Sequence, residues 1–139
     1  MKYILILASL ILAIASGQTL KEWDLSNRPA VSAVQEQLNA EFMEAHPGVT
    51  IERNAVSFDD LIATVNLALA SNEPPDIAMV NQGAADMGQA VKADLIMSLD
   101  SYAEQYGWND LYSKNLLDRF RWSDEHKFGE GHLYGLANT

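Results

Sequence analysis

The chain has 139 residues, no cysteine and a formal net charge of −10. Without cysteine there is no disulfide framework and no lipid-bearing Cys behind a leader. The nine Lys and Arg residues are scattered, so the basic patch that nucleic acid requires is absent, and the acidic residues, with no long like-charged run, read as a solvated surface.

The first 17 residues read as a signal peptide. Met1 and Lys2 supply the positive start, Tyr3 to Ala15 is apolar, and Ala13-x-Ala15 and Ala15-x-Gly17 both satisfy the small-residue cleavage rule. The apolar run is shorter than the roughly 20 residues of a membrane-spanning helix, so export to the periplasm is the expected fate. Residues 18–139 are enough for one modest α/β domain, and no internal repeat or low-complexity linker interrupts them.

Thr19 to Asp24 is the first expected strand and the central one of a sheet. Val31, Val34, Leu38, Phe42 and Ala45 recur at three- and four-residue steps, which predicts a helix with one apolar face toward the core. Pro47 and Gly48 end it and reverse the chain, and Val49 to Glu52 extends as the second strand. Ser57 and Asp60 have the spacing of a capping box, followed by Phe58, Leu61, Ile62, Val65 and Leu69 on one helix face. Pro74-Pro75 forbids more helix, and Asp76 to Val80 reads as a short strand buried on both faces. Strands alternating with helices of this length imply right-handed crossovers and a mostly parallel sheet flanked by helices. Further on, Tyr102 and Tyr106 fall four apart on one helix face, where packing explains them better than a stacking platform. Leu111, Leu116, Leu117 and Phe120 predict one more amphipathic helix.

Four segments in this order carry a resemblance: Phe42 to Glu52 with its His-Pro-Gly-Val-Thr-Ile-Glu, Ala68 to Asn72 before Pro75-Asp76-Ile77, Leu95 to Asp100, and Tyr134-Gly135-Leu136. The chain resembles the extracellular solute-binding proteins of sugar-type ABC importers, the maltose-binding-protein-like group, over most of Thr19 to Thr139. The resemblance implies two α/β lobes joined by a hinge, a ligand captured between them, and a membrane permease as partner. It also implies that residues 18–139 are the N-terminal part of the first lobe, a fragment or a truncated product from which the second lobe and the strand returning beside the third are absent. An unfilled strand slot predicts exposed, adhesive backbone. Two positions depart from the family: Glu22 stands where an aliphatic residue is usual, so it needs a partner if buried, and Ala137 stands where proline is common.

Ligands of open α/β sheets collect beyond the carboxyl ends of the strands. The loops there hold Trp23, Asp24, Ser26 and Asn27 after the first strand, Ser57 after the second, and Asn81, Gln82 and Gly83 after the third. Amide and carboxylate groups beside an aromatic face suit the hydroxyl fans and C–H faces of sugars; capping of the following helices is the competing reading of Asp24, Asn27 and Ser57. His126 and His132, near Asp124, Glu125 and Glu130, match no metal-ligand spacing, and no cofactor motif, phosphate loop, nucleophile elbow or His-Glu-x-x-His helix occurs. Asp59-Asp60 and Asp124-Glu125 are adjacent and do not converge as an acid and base pair must.

Periplasmic binding of a sugar or oligosaccharide for import, without catalysis, is therefore the expected function. Two alternatives stay open: an exported module that docks another protein by its sheet edge, and the N-terminal piece of an exported hydrolase. The visible groups also suit polyamines, phosphate esters or peptides.

Overall fold

The computed structural model describes residues 17–137, so all of the expected leader but Gly17 lies outside the described residues. β1 (Gln18–Asp24), α1 (Pro29–Ala45), β2 (Val49–Ala55), α2 (Phe58–Leu69) and β3 (Ile77–Ala78) follow one another as the punctuation predicts. β1 is central: it pairs in parallel with β2 over its whole length and with β3 at Glu22 and Trp23, giving the order β2-β1-β3. β2 and β3 are thus the edges of this sheet among the described residues. The α1–β2 reversal falls at Pro47-Gly48, with Gly48 at φ 96° and the Val49 amide bonded to the His46 carbonyl at 3.0 Å.

α2 covers one face of the sheet. Leu61, Val65 and Leu69, one turn apart, are buried with Ala90, and Trp23, Leu25, Val56, Ala78, Leu95 and Ile96 close around them. Its start matches the expected cap: the Asp60 amide donates to Ser57 Oγ at 3.2 Å, while the Ser57 hydroxyl donates to Asp60 Oδ2 at 2.6 Å.

α1 departs from its periodicity. Val31, Val34, Leu38 and Phe42 do not face the core; all are exposed, Val34 by 58%. Ser32, Gln35, Asn39 and Met43 turn toward the sheet instead. The reason lies on β1, where Glu22 and Asp24 point at this helix and require donors. Gln35 Nε2 gives Glu22 a hydrogen bond at 2.9 Å, and Asn39 Nδ2 donates to its other oxygen. The carboxylate expected to need a partner is thus satisfied from the helix.

β3 is shorter than expected. Only Ile77 and Ala78 form ladder, and Ile77 is 58% exposed rather than buried on both faces, because among the described residues the strand has a neighbour on one side only. The remainder forms a second cluster. α3 (Met87–Lys92), α4 (Asp100–Gln105), α5 (Trp108–Leu111) and α6 (Lys114–Asp118) lead to the antiparallel pair β4 (Arg121–Trp122) and β5 (His132–Leu133). Ala103, Leu117 and Leu133 form its centre with Leu99, Trp108, Phe120 and Leu136 around them. The single helix expected over Leu111 to Phe120 is broken, since Ser113 caps α6 through the Leu116 amide and Leu111 is left 73% exposed. Tyr106 lies beyond the end of α4, its ring stacked on Trp108 with centroids 6.0 Å apart, and it is exposed rather than packed into the core.

Candidate functional site

A groove of about 1020 Å³ runs beside β3 and the carboxyl end of β1. One wall carries Trp23, Asp24, Leu25 and Ser26; the floor carries Ile77 to Gln82; the opposite wall is Phe120 with Tyr134 to Ala137. Phe58, Met79, Met87 and Met97 add apolar surface. The groove therefore combines aromatic faces with amide and hydroxyl groups, the mixture that binds organic solutes.

Of the eight residues named from the sequence, Trp23, Asp24, Ser26, Asn81 and Gln82 line this groove. Trp23 also packs against the α2 core, so part of its ring area is spent on folding. Asn81 is steadied by its Nδ2, which donates to Asp86 Oδ2 at 2.8 Å; Gln82 is exposed. Asn27, Ser57 and Gly83 are not among the lining residues. Ser57 caps α2, as the capping reading has it. Asn27 caps nothing, since the N-cap of α1 is Arg28 without a side-chain bond. Gly83, at φ 114°, accepts the Gly88 amide at 2.9 Å and shapes the entry to α3.

Asp24 is 4% exposed, and both of its oxygens are taken. Arg53 Nε reaches Oδ2 at 2.7 Å and Nη2 reaches Oδ1 at 2.9 Å, while the Ser26 amide donates to Oδ1 at 2.5 Å. The same guanidinium donates from Nη2 to the Ser26 carbonyl at 2.8 Å and from Nη1 to Ser32 Oγ at 2.7 Å and Glu36 Oε1 at 3.3 Å. All five of its N–H groups thus have an acceptor. Burial pushes the Asp24 carboxyl up, but the Arg53 and Ser26 bonds outweigh it and hold it below the ordinary carboxylate range. Hydrogen bonding to Asp24 raises Arg53 in turn. Sequence reading passed over Arg53, although Val49, Ile51, Arg53 and Ala55 alternate on one face of β2, and an arginine on an inward face is a signal that a carboxylate waits there.

A second polar cluster stands behind the far wall. Asp100 Oδ2 lies 2.6 Å from His132 Nδ1 and receives the Ser98 hydroxyl at 2.9 Å; its Oδ1 accepts the Leu133 amide at 3.0 Å. Asp124 approaches His132 Nε2 at 3.5 Å, and Arg121 donates to the Gly131 carbonyl at 2.9 Å. The hydrogen bond that His132 donates to the Asp100 carboxylate lifts the His132 pKa above its ordinary 6.5. Among the described residues no group of three or more His, Cys, Asp and Glu side chains forms a metal site.

The sequence profile of the family described as bacterial extracellular solute-binding protein matches residues 26–124. The chain belongs to that family. The solute-binding family is one of exported binding proteins rather than of enzymes, and no described helix of this member is long and apolar enough to cross a membrane. A search of curated proteins gave no match. Among solved structures, one from work on xylan utilization by the thermophilic bacterium Caldanaerobius polysaccharolyticus superposes with a TM-score of 0.71 at 24% identity over 84% of this chain. CpMnBP1 with mannotriose bound gives 0.66 at 24% over 86%, and a chitin oligosaccharide binding protein 0.68 at 20% over 87%. The chain spans 28% of the length of each of these. They show the fold: a parallel sheet flanked by helices, of the kind found in two-lobe binding proteins.

Proposed function

We propose that residues 18–139 form the opening part of the first lobe of a periplasmic protein that captures a carbohydrate and presents it to a membrane permease for import. The observation that carries this reading is the part of the groove beyond the carboxyl ends of β1 and β3, whose lining joins the aromatic rings of Trp23 and Phe58 to the amides of Asn81 and Gln82 and the Ser26 hydroxyl. An aromatic ring stacks on the C–H face of a pyranose, and amides and hydroxyls match its hydroxyls in both donor and acceptor sense. The similar structures support an oligosaccharide, since two of them are described with mannotriose and as binding chitin oligosaccharide. In a two-lobe protein, closure over the sugar would bury its other face and raise affinity, so the residues of this lobe bind weakly by themselves. The ligand leaves unchanged, because binding and release involve no bond making.

The test is titration of the isotope-labelled protein with xylotriose, mannotriose and chitotriose, followed by NMR. Saturable shifts of the Trp23 indole and of the Asn81 and Gln82 side-chain amides are expected with at least one trimer, and the sugar is recovered intact. Shifts confined to other surfaces, or hydrolysis of a trimer, would refute the reading.

A further inference from the structure

Resting on the proposed carbohydrate site, we infer that Arg53 is its positioning residue: a group remote from the ligand that fixes the β1–α1 loop and makes the groove select neutral solutes over cationic ones. Three acceptors from that loop and the end of β1 converge on it: both oxygens of Asp24 and the Ser26 carbonyl, at 2.7, 2.9 and 2.8 Å. Two more, Ser32 and Glu36, come from the first two turns of α1. One planar fork thus bolts strand, loop and helix together, an arrangement that a lysine, with a single charged nitrogen, cannot reproduce.

The charge consequence follows from the lining residues. Glu22 and Asp24 both stand in the groove wall, one residue apart in alternation, so both face α1. Glu22 takes only neutral amide donors, from Gln35 and Asn39. Asp76, at the other edge, accepts the Lys21 amide at 2.8 Å, and the Lys21 ammonium pairs with Glu73 rather than with the wall. Arg53 is therefore the cation that compensates the β1 carboxylates, and without it the two would leave an unbalanced negative charge on the α1 side of the strand, beside the groove. That field would draw an amine-bearing solute toward the groove; in the native protein the Asp24 charge is balanced by Arg53.

The experiment compares fully N-acetylated chitotriose with its deacetylated, protonated trimer, two ligands with one backbone and different charge. Both are titrated into the unsubstituted protein, Arg53→Gln, Arg53→Lys and Asp24→Asn, with folding checked by circular dichroism. The readout is the ratio of the two affinities. One unit charge across about 10 Å at an effective dielectric of about 20 corresponds to roughly a tenfold change in that ratio. Arg53→Gln is expected to move it about tenfold toward the cationic trimer, and Asp24→Asn by a similar factor the other way. Asp24→Asn supplies the answer if Arg53→Gln does not fold. Arg53→Lys is expected to keep the ratio while weakening both trimers, because charge is retained and the fork is lost. A merely structural role lowers both affinities in proportion, and an unmoved ratio in Arg53→Gln and Asp24→Asn would overturn the inference alone. If neither trimer shifts the loop of the unsubstituted protein, the carbohydrate site is refuted, and the role assigned to Arg53 with it.

Discussion

Gly129 and Gly131 lie in the same β4–β5 turn and share a backbone conformation, with φ of 89° and 81°. They differ in what surrounds them. A methyl group on Gly129 would meet nothing within 4 Å, whereas one on Gly131 would lie 2.5 Å from Ser123 Cα and 2.6 Å from the Trp122 carbonyl oxygen, both backbone atoms that cannot swing aside. An alanine at positive φ costs about 1–2 kcal/mol, so Gly129→Ala should lose about that much. Gly131→Ala incurs the same conformational cost plus overpacking of about 1–3 kcal/mol, for a total of about 2–5 kcal/mol. Urea unfolding followed by tryptophan fluorescence separates the two: with a slope of about 2 kcal/mol per molar, within the usual range, Gly129→Ala moves the midpoint by about 0.5–1 M and Gly131→Ala by about 1–2.5 M, at least about one and a half times as far. Because the comparison cancels the φ term, equal shifts would refute the packing argument, and with it the close seating of the hairpin that carries Tyr134 to Ala137 into the groove wall.

Other perturbations have equally definite signs. The His132 pKa is raised by Asp100, so its pairing contributes fully below the ordinary 6.5 and fades as pH rises through the folded value; the stability lost in His132→Gln should follow that course, and a loss independent of pH would contradict it. Ser57→Ala removes the acceptor of the Asp60 amide and should cost about 1 kcal/mol, read from the urea midpoint. Leu61→Ala, at a side chain 1% exposed, should cost about 2–5 kcal/mol, and a smaller loss would mean the α2 core relaxes around the gap. Leu38→Glu, at a position 53% exposed, should change stability by no more than about 0.5 kcal/mol; a larger loss, or a change in sedimentation, would show the α1 stripe to be covered in solution.

The elements were legible where a single residue type dictates the backbone. Pro47-Gly48, the Ser57 cap and Pro74-Pro75 each impose a boundary that the structure keeps, because φ restriction and orphan helix amides are local matters. The α2 face was legible for a different reason: its apolar spacing and its burial coincide. α1 shows the limit of that reasoning. Its periodicity is as clear, but which face turns inward was decided by Glu22 and Asp24 on a neighbouring strand, and side-chain pairing across elements does not show in a one-dimensional pattern. The candidate site divides in the same way. Strand-end position alone picked out Trp23, Asp24, Asn81 and Gln82 as groove residues. It gave no account of Arg53, which occupies Asp24 from a strand 29 positions later in the chain.

The polar interface between α1 and the sheet also bears on how the first βαβ unit finds its alignment. A greasy interface is forgiving, since methyl groups meet other methyl groups after a sliding error of one residue or two. A guanidinium with five acceptors is not. Moving β2 by one residue against β1 would turn Arg53 to the opposite face, strand the Asp24 carboxylate without a counter-ion and leave Glu36 and Ser32 without their donor. Misaligned versions of this unit are thereby penalised as they form, and the checkpoint is ionic: high salt and low pH, which leave hydrophobic collapse largely intact, should make the earliest pairing of these two strands slower and less accurate.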